Sequence, residues 1–294
     1  MIQLNLKIKA KKIGWLFHYD NILPLELSCI LPWSLKDYSF LPEEAPVDFL
    51  VYVYPIGLPA SDSLAESFLD FRGTKFILAG EAGHRFRPID NCYSIVSGAR
   101  PDDHSSCRYG PLLGSWCPPL VLEGKTKKCS VIESGKYAWR IDLIQDLIKK
   151  VDGVDVYGPA SGYKLGGYHS IDSKSVFGNA KYRGLKDYGF YLSLENCEVE
   201  DYWTEKIGDA ILCESVPVYF GCPNILDYFI PESFVAYSEA SSVDWPNWST
   251  DYERRRKYVL MQKEVIRTKF TMWSYFNLLT DDLSLLDKKR PIVR

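Results

Sequence analysis

The residues with the clearest chemical potential follow an apolar and aromatic run at 190–194, which predicts a short buried strand. Glu195 and Asn196 come at the end of this strand, and Glu205 and Lys206 come at the predicted start of a helix. A helix N-terminus and a lysine supply positive potential for phosphate, whereas carboxylates and an amide can hold hydroxyl groups. Acid, amide and lysine gathered in this way indicate a site for a phosphorylated sugar donor.

The elements around these residues are predicted to form a strand–helix–strand unit. Asp201 and Thr204 can each cap the helix, and the apolar residues of 207–211 lie on one of its faces. Residues 216–220 predict a second strand, which Gly221 closes. In such a unit the polar residues meet at the carboxyl edge of a parallel sheet, where α/β folds bind their ligands.

This segment resembles the donor-binding motif of the α-1,3-fucosyltransferases, and the spacing of the motif is kept from Glu195 to Phe234. Cys197 stands where the family usually has serine, and Trp203 replaces a small or β-branched residue, so neither departure removes a charged group. The matching residues are Glu195, Asn196, Asp201, Tyr202, Thr204, Glu205, Lys206, Asp209, Ala210, Val216, Pro217, Val218, Gly221, Phe229, Ile230, Pro231, Ser233 and Phe234.

The resemblance implies a GT-B-like α/β fold, in which two Rossmann-like, doubly wound domains face each other across a cleft. Residues 1–128 would form an N-terminal acceptor-binding domain. Residues 129–294 would form a C-terminal domain that binds GDP-fucose and ends in a long helix. The alternating strand and helix patterns of both halves also favour doubly wound folds. The implied reaction is the inverting transfer of fucose from GDP-fucose to a hydroxyl of a glycan acceptor.

Two cations are predicted to stabilise the leaving diphosphate. Arg140 lies near the start of the first helix of the second half, where the resemblance places a phosphate-binding arginine after a Ser-Asn pair. In this chain the pair is Ser134-Gly135, so the asparagine contact is lost. Lys206 adds a point charge to the bidentate guanidinium. The alternative for Arg140 is a solvated helix residue.

Glu81 is the predicted catalytic base, because it lies between glycines just after the predicted strand 75–79 of the first half. The resemblance implies an acidic base after such a strand. His84, three residues further on, is a competing candidate for the base. The alternative for Glu81 is a surface loop carboxylate without a catalytic role.

Further residues are expected to contact the donor. Asn196 and Glu205 are expected to bind fucose or ribose hydroxyls, and Tyr202 to line the nucleotide site. Glu195 is either a donor ligand or an acceptor for loop amides. The complete set of predicted donor-binding residues is Arg140, Tyr157, Gly158, Glu195, Asn196, Tyr202, Thr204, Glu205 and Lys206. Tyr157 and Gly158 end a predicted strand and would border the guanosine.

Composition narrows the possible functions. The 294 residues carry a formal net charge of −3, which gives no reason to expect nucleic acid as a partner. Eight scattered cysteines, with no Cys-x-x-Cys pair, favour reduced thiols and a cytoplasmic protein. The resemblance, taken together with the lack of a predicted membrane anchor, implies a soluble form of bacterial or viral type. The chain has no Asp-x-Asp motif, so no metal cofactor is expected to be required, although Mn²⁺ or Mg²⁺ can stimulate relatives. No stretch is long and apolar enough for a membrane span.

The sequence also predicts four further segments and leaves two alternative functions open. An amphipathic helix is expected at 138–150, a loop at 159–184, and a long helix from Asp251 to about Asn277 with Tyr258, Met261 and Val265 on one side. The stretch 118–128 is interpreted as a linker. The alternative functions are an exostosin-like transferase that uses a UDP-sugar and a catalytically inactive nucleotide- or glycan-binding module.

Overall fold

The structure, a computed structural model, describes residues 2–17, 37–54, 66–79, 90–96, 107–109, 124–158, 168–170 and 182–270. The chain divides into two compact units. The first comprises Met1–Leu113, Val199–Thr204 and Lys269–Arg294, and the second comprises Gly114–Glu198 and Glu205–Thr268. The domain boundary expected between residues 128 and 129 stays a prediction.

A seven-stranded sheet forms the centre of the first unit, in the order β3-β1-β2-β4-β5-β6-β7. β1 pairs with β2 and β3 in antiparallel fashion, and the remaining neighbours are parallel. The strands are β1 (Ile2–Ile8), β2 (Lys11–Phe17), β3 (Tyr38–Leu41), β4 (Phe49–Tyr54), β5 (Thr74–Ala79), β6 (Cys92–Val96) and β7 (Cys107–Tyr109), and α1 (Glu66–Asp70) lies between β4 and β5.

The core of the first unit packs α1 on the sheet. Phe68 of α1 is fully buried and contacts Tyr52 of β4, with ring centroids 5.4 Å apart. Leu16, Leu50 and Ile77 complete this cluster. These strands read as continuous apolar runs because parallel strands are covered on both faces.

The second unit contains a six-stranded, wholly parallel sheet in the order β10-β9-β8-β11-β12-β13. Its strands are β8 (Lys127–Ile132), β9 (Val154–Gly158), β10 (Tyr168–Ser170), β11 (Tyr188–Leu194), β12 (Val216–Phe220) and β13 (Val235–Ala236). Its helices are α2 (Ala138–Lys150), α3 (Glu205–Leu212) and α4 (Trp248–Lys269).

The predicted helix at 138–150 is confirmed as α2, with Ile141, Ile144 and Leu147 buried along one face. The predicted strand at 216–220 is confirmed as β12. β11 is buried at every residue, because it lies between β8 and β12 in the middle of the sheet. The predicted buried strand at 190–194 is therefore confirmed, and it begins two residues earlier, at Tyr188.

Three expectations about element positions were wrong. The linker prediction fails at its end because β8 already begins at Lys127. The predicted loop contains β10, which adds to β9 at the edge of the sheet. The long helix runs from Trp248 to Lys269 and not from Asp251 to about Asn277. On the side that carries Tyr258 and Val265, Met261 is 56% exposed, whereas Val259, Gln262 and Ile266 are buried. In the part of the chain that the structure describes, no helix is long and apolar enough to cross a membrane.

Candidate functional site

The carboxyl edge of the second sheet collects charged residues, because all of its strands run in the same direction. Glu133 follows β8, and Glu195 and Asn196 follow β11. Arg140 lies in the first turn of α2, and Glu205 and Lys206 open α3. The strand–helix connections therefore bring these side chains to one edge of the sheet, the usual ligand-binding edge of such folds.

Arg140 is held at this edge by two side-chain partners. Its Nη2 lies 2.6 Å from Oε2 of Glu133, in a pair whose side chains are only 7% and 3% exposed. Its Nη1 donates a hydrogen bond of 3.0 Å to Oδ1 of Asn196. Arg140 is thus buried and paired rather than a solvated helix residue, and two segments far apart in the chain meet at its guanidinium.

Glu133 is a site residue that the sequence reasoning missed. Besides Arg140, its carboxylate accepts hydrogen bonds from the Gly135 amide at 2.9 Å and from the Ser134 hydroxyl at 3.3 Å. Ser134 and Gly135 thus hold the carboxylate that orients Arg140. The sequence did contain a sign of this role: Glu133 directly follows a predicted buried strand, and only a short turn separates it from the helix that carries Arg140.

The start of α2 has no side-chain cap. Tyr137 precedes the helix and makes no side-chain hydrogen bond to its first turn. Within the described residues, Nε of Arg140 is buried and has no hydrogen-bond partner. An uncapped helix start next to a guanidinium is a favourable place for an anion.

Lys206 lies between two carboxylates at the start of α3. Its Nζ is 3.5 Å from Oε2 of Glu195 and 3.6 Å from Oε1 of Glu205. Glu195 has no exposed side-chain surface, whereas Lys206 and Glu205 keep 17% and 24%. Ser193 of β11 donates a hydrogen bond of 3.0 Å to the Lys206 carbonyl and so ties the helix start to the strand.

Gly221 allows Glu195 to pack against the end of β12. A Cβ at position 221 would lie 2.4 Å from Cγ and 2.7 Å from Cβ of Glu195. The Glu195 amide also donates to the Phe220 carbonyl at 2.9 Å, which holds the backbone in place. The glycine that closes the predicted strand is therefore required by the acid beside it.

Tyr157 and Gly158 occupy a different environment from the one expected. The Tyr157 hydroxyl lies 2.7 Å from that of Tyr188, the first residue of β11, and so points away from the carboxyl edge. Tyr188 in turn donates to Asp155, and burial together with these bonds raises the pKa of Tyr188. A Cβ on Gly158 would lie 2.0 Å from the Glu133 carbonyl oxygen, so this glycine permits close strand pairing. Donor contacts by these two residues stay a prediction.

The remaining predicted site residues lie elsewhere in the chain. Tyr202 and Thr204 are buried, and their segment 199–204 groups with the first unit. Glu81 and the competing base His84 lie outside the described residues. Across the described ranges, no group of three potential ligands is arranged to hold a metal ion, and independence from metal stays a prediction.

The second unit is a doubly wound α/β fold that carries cations at the carboxyl edge of its strands. Residues 122–245 match the family model described as Glycosyltransferase family 10 (fucosyltransferase) C-term. This segment, which contains the whole cluster around Arg140 and Lys206, is similar to the C-terminal domain of that family. The predicted resemblance to the fucosyltransferases is confirmed.

The whole chain is similar to a solved structure, the crystal structure of an α1,3-fucosyltransferase. The TM-score is 0.51 at 16% identity, and the match covers 95% of this chain and 91% of the other. At that identity the likeness shows the fold alone. Together with the two parallel-sheet units, it confirms the prediction of a GT-B-like fold with two Rossmann-like domains.

Sequence relatives match over shorter stretches. An α-(1,4)-fucosyltransferase of Arabidopsis thaliana is 41% identical over 59 residues, which are 20% of this chain and 15% of the relative. A GDP-fucose protein O-fucosyltransferase 3 of Gallus gallus is 33% identical over 89 residues, 30% of this chain and 18% of the relative. The chain thus matches less than a fifth of the length of either relative.

Proposed function

We propose that the chain transfers fucose from GDP-fucose to a hydroxyl of a glycan or glycoconjugate acceptor, with inversion at the anomeric carbon. The observation that carries the proposal is the 3.0 Å hydrogen bond between Arg140 and Asn196. It joins the arginine of α2 to the Glu-Asn pair of β11, inside the segment that matches the fucosyltransferase domain. The name of the Gallus gallus relative supports GDP-fucose as the donor.

The donor diphosphate would bind at the start of α2. There the first turn, which no side chain caps, and the guanidinium of Arg140 would offer donors to phosphate oxygens, and the helix dipole favours negative charge. Lys206 would approach from the start of α3. Both cations would stabilise the charge that develops on GDP as its bond to fucose breaks.

The carboxylates around these cations affect how strongly the cations attract phosphate. Among the described residues, Glu133 pairs with Arg140, and Glu195 and Glu205 pair with Lys206. A phosphate group that approached Lys206 would replace Glu205, the more exposed of its two partners. Glu205 would then be released to accept hydrogen bonds from sugar hydroxyls, together with Asn196.

The remaining donor contacts follow the sequence-based assignment. Tyr202 and Thr204 would line the nucleotide site, and Tyr157 with Gly158 would border the guanosine. Glu81 would remove the proton of the acceptor hydroxyl, whose oxygen attacks the anomeric carbon as the bond to GDP breaks on the opposite face. GDP leaves with both bonding electrons, and no step of this scheme requires a metal ion.

Calorimetric titration without metal against GDP, GDP-fucose, GDP-mannose, UDP and UDP-sugars tests the donor. The expected result is selective binding of GDP and GDP-fucose. Preference for UDP would replace the proposal with an exostosin-like transferase. Binding of GDP without release of GDP from GDP-fucose, across a panel of acceptors, would identify an inactive binding module. The panel needs proteins as well as glycans, because the Gallus gallus relative is named as a protein O-fucosyltransferase.

Glu81→Gln tests the base. The variant should bind GDP-fucose with unchanged affinity and lose transfer by roughly a hundred-fold or more, because general base catalysis contributes about 10²–10⁴-fold. Transfer would be followed by GDP release at a saturating acceptor concentration. His84→Gln is the matched control and should retain activity. If the two variants behave in the opposite way, His84 is the base.

A further inference from the structure

A cavity of about 580 Å³ opens beyond the carboxyl end of β12 in the second unit. Its wall includes the aromatic residues Tyr219, Phe220, Phe234 and Tyr237. Two exposed acids, Glu198 and Glu239, also border it. We call this space the β12 cavity. Its volume lies within the range of small-molecule sites, about 300–1,000 Å³, and none of the catalytic assignments above uses it.

The wall of the β12 cavity favours one kind of ligand. Aromatic faces pack against apolar C–H surfaces, and carboxylates accept hydrogen bonds from hydroxyl groups. Among the described residues that line the cavity, none is a lysine or arginine, and two are acids. A phosphate group would be repelled, so the donor diphosphate does not fit here. A pyranose ring, with an apolar face and a rim of hydroxyls, fits both features.

The β12 cavity lies directly beside the proposed donor site. Gly221 lines the cavity on one side and touches the side chain of Glu195 on the other, and Glu195 pairs with Lys206. Phe220, a second wall residue, packs against Trp139 with ring centroids 5.4 Å apart. Trp139 immediately precedes Arg140 in α2. Glu195 and Trp139 thus connect the cavity wall to the segments that carry both proposed phosphate-binding cations.

The aromatic wall is fixed by its own contacts. The Tyr237 hydroxyl shares its hydrogen bond between the Leu143 carbonyl at 2.8 Å and Asp146 at 3.1 Å, which anchors the ring to α2. The Tyr219 hydroxyl accepts a hydrogen bond from the Cys222 amide at 3.0 Å. The two rings also meet Phe220 and Phe234, respectively, in edge-to-face pairs. These contacts fix the aromatic wall, so a ligand that binds there would require little rearrangement of it.

We propose that the β12 cavity binds a pyranose ring of the acceptor saccharide, with Glu198 and Glu239 accepting hydrogen bonds from its hydroxyls. This inference rests on the proposed fucosyl transfer. It places one ring of the acceptor in the second unit, beside the donor, in addition to the acceptor-binding role expected of residues 1–128. The aromatic wall would supply the stacking face, and the two acids would select for the arrangement of hydroxyls. Because both acids are exposed, their conversion to amides should leave the fold intact.

Saturation-transfer NMR on the GDP-bound chain tests the proposal directly. The probes are free glucose, galactose, N-acetylglucosamine and N-acetyllactosamine. At least one of them should bind the wild type, and E198Q and E239Q should each weaken its binding by roughly ten-fold, the effect of losing a hydrogen bond to a charged group. The matched control is Glu232→Gln, an exposed acid of the neighbouring segment that does not line the cavity. This variant should bind the probe like the wild type.

The outcomes separate a failure of the acceptor site from a failure of the proposed donor site. GDP binding with no probe bound, or with a bound probe that E198Q and E239Q leave unchanged, overturns the acceptor site and keeps the donor proposal. Failure of GDP to bind is instead a failure of the proposed function. If both variants weaken GDP-fucose but not GDP, the cavity holds the donor's sugar, and the acceptor assignment is wrong.

Discussion

Glu133 and Arg140 form the interaction that most constrains the chemistry of the site. Both side chains are almost completely buried, and the carboxylate holds the guanidinium at 2.6 Å. The same carboxylate competes with any phosphate for Arg140. The pair therefore orients the arginine and lowers its affinity for an anion, and these two effects can be separated by changing the charge alone.

Glu133→Gln makes this separation. The amide keeps the size of the side chain and one acceptor oxygen but leaves the buried guanidinium without its counter-charge, so the folded state should lose about 3–5 kcal/mol of stability. GDP should bind more tightly than to the wild type, because no carboxylate then competes for Arg140. Urea unfolding and calorimetry with GDP measure the two effects, with Glu232→Gln as the exposed control. Weaker GDP binding would show that Glu133 acts by positioning Arg140 and not by competing for it.

The sequence indicated which residues gather at the site better than it indicated their partners. Asn196 and Lys206 were recognisable because a motif fixes their spacing along a strand, a loop and a helix. Glu133 was not, because its pairing depends on the direction in which Arg140 leaves α2. Tyr157 shows the same difficulty: its position at a strand end was visible, but its hydroxyl points to Tyr188.

At the scale of elements, the contact of β11 with β12 depends on the absence of a side chain at Gly221. Glu195 fills the space that a Cβ would need, and the bond from its amide to Phe220 prevents the backbone from moving aside. The strand pair and the Glu195–Lys206 ion pair are therefore linked through one glycine.

Gly221→Ala should destabilise the chain by about 1–3 kcal/mol, the usual cost of overpacking. It should also weaken GDP binding, because Glu195 must shift and takes Lys206 with it. Gly124→Ala is the matched control, since a Cβ at that exposed position meets no atom within 4 Å. Chemical denaturation of both variants provides the comparison. Equal stability of the two would contradict the packing argument.

The helix α4 shows why its buried face could not be predicted from hydrophobicity. Its inward side carries Gln262, which accepts a hydrogen bond from the Ile230 amide and donates one to the Tyr228 carbonyl. Lys263 pairs with buried Glu214 at 2.7 Å. These polar residues satisfy neighbouring groups and take inward positions, while Met261 is exposed. Such partners come from distant parts of the chain and leave no periodic pattern in the helix itself.

At the scale of the molecule, Lys125 connects the segment before β8 with the segments that precede β11 and β12. Its ammonium donates to the Cys213 carbonyl at 2.5 Å, the Lys186 carbonyl at 2.8 Å and the Ser215 hydroxyl at 3.3 Å. Burial lowers the pKa of Lys125 from 10.5 to about 8. Below pH 8 the folded chain must therefore bury a charged group.

The stability contributed by Lys125 should rise with pH. Between pH 8 and 10.5 the unfolded chain keeps a proton that the folded chain has lost, so the free energy of unfolding increases with pH through this window. The free energy of unfolding of the wild type, relative to that of Lys125→Met, should rise by about 2–3 kcal/mol from pH 7 to pH 10. Urea unfolding at both values measures it, and other titrating groups cancel in the difference. A constant difference would mean that Lys125 stays charged throughout.

The division into two α/β units was predictable from the alternation of strands and helices in both halves. The grouping of residues 199–204 with the first unit was not, because this segment is flanked on both sides by chain of the second unit. No composition change or turn signal marks such an exchange, which arises from contacts alone.

That segment also has a consequence for biosynthesis. The first unit occupies the beginning of the sequence, yet residues 199–204, which belong to it, leave the ribosome only after β8, α2 and β11 have been made. The part of the protein that is translated first is therefore completed late. A nascent chain halted before residue 199 would lack both this segment and Lys269–Arg294, so the first unit would still be unfinished after most of the second has been made.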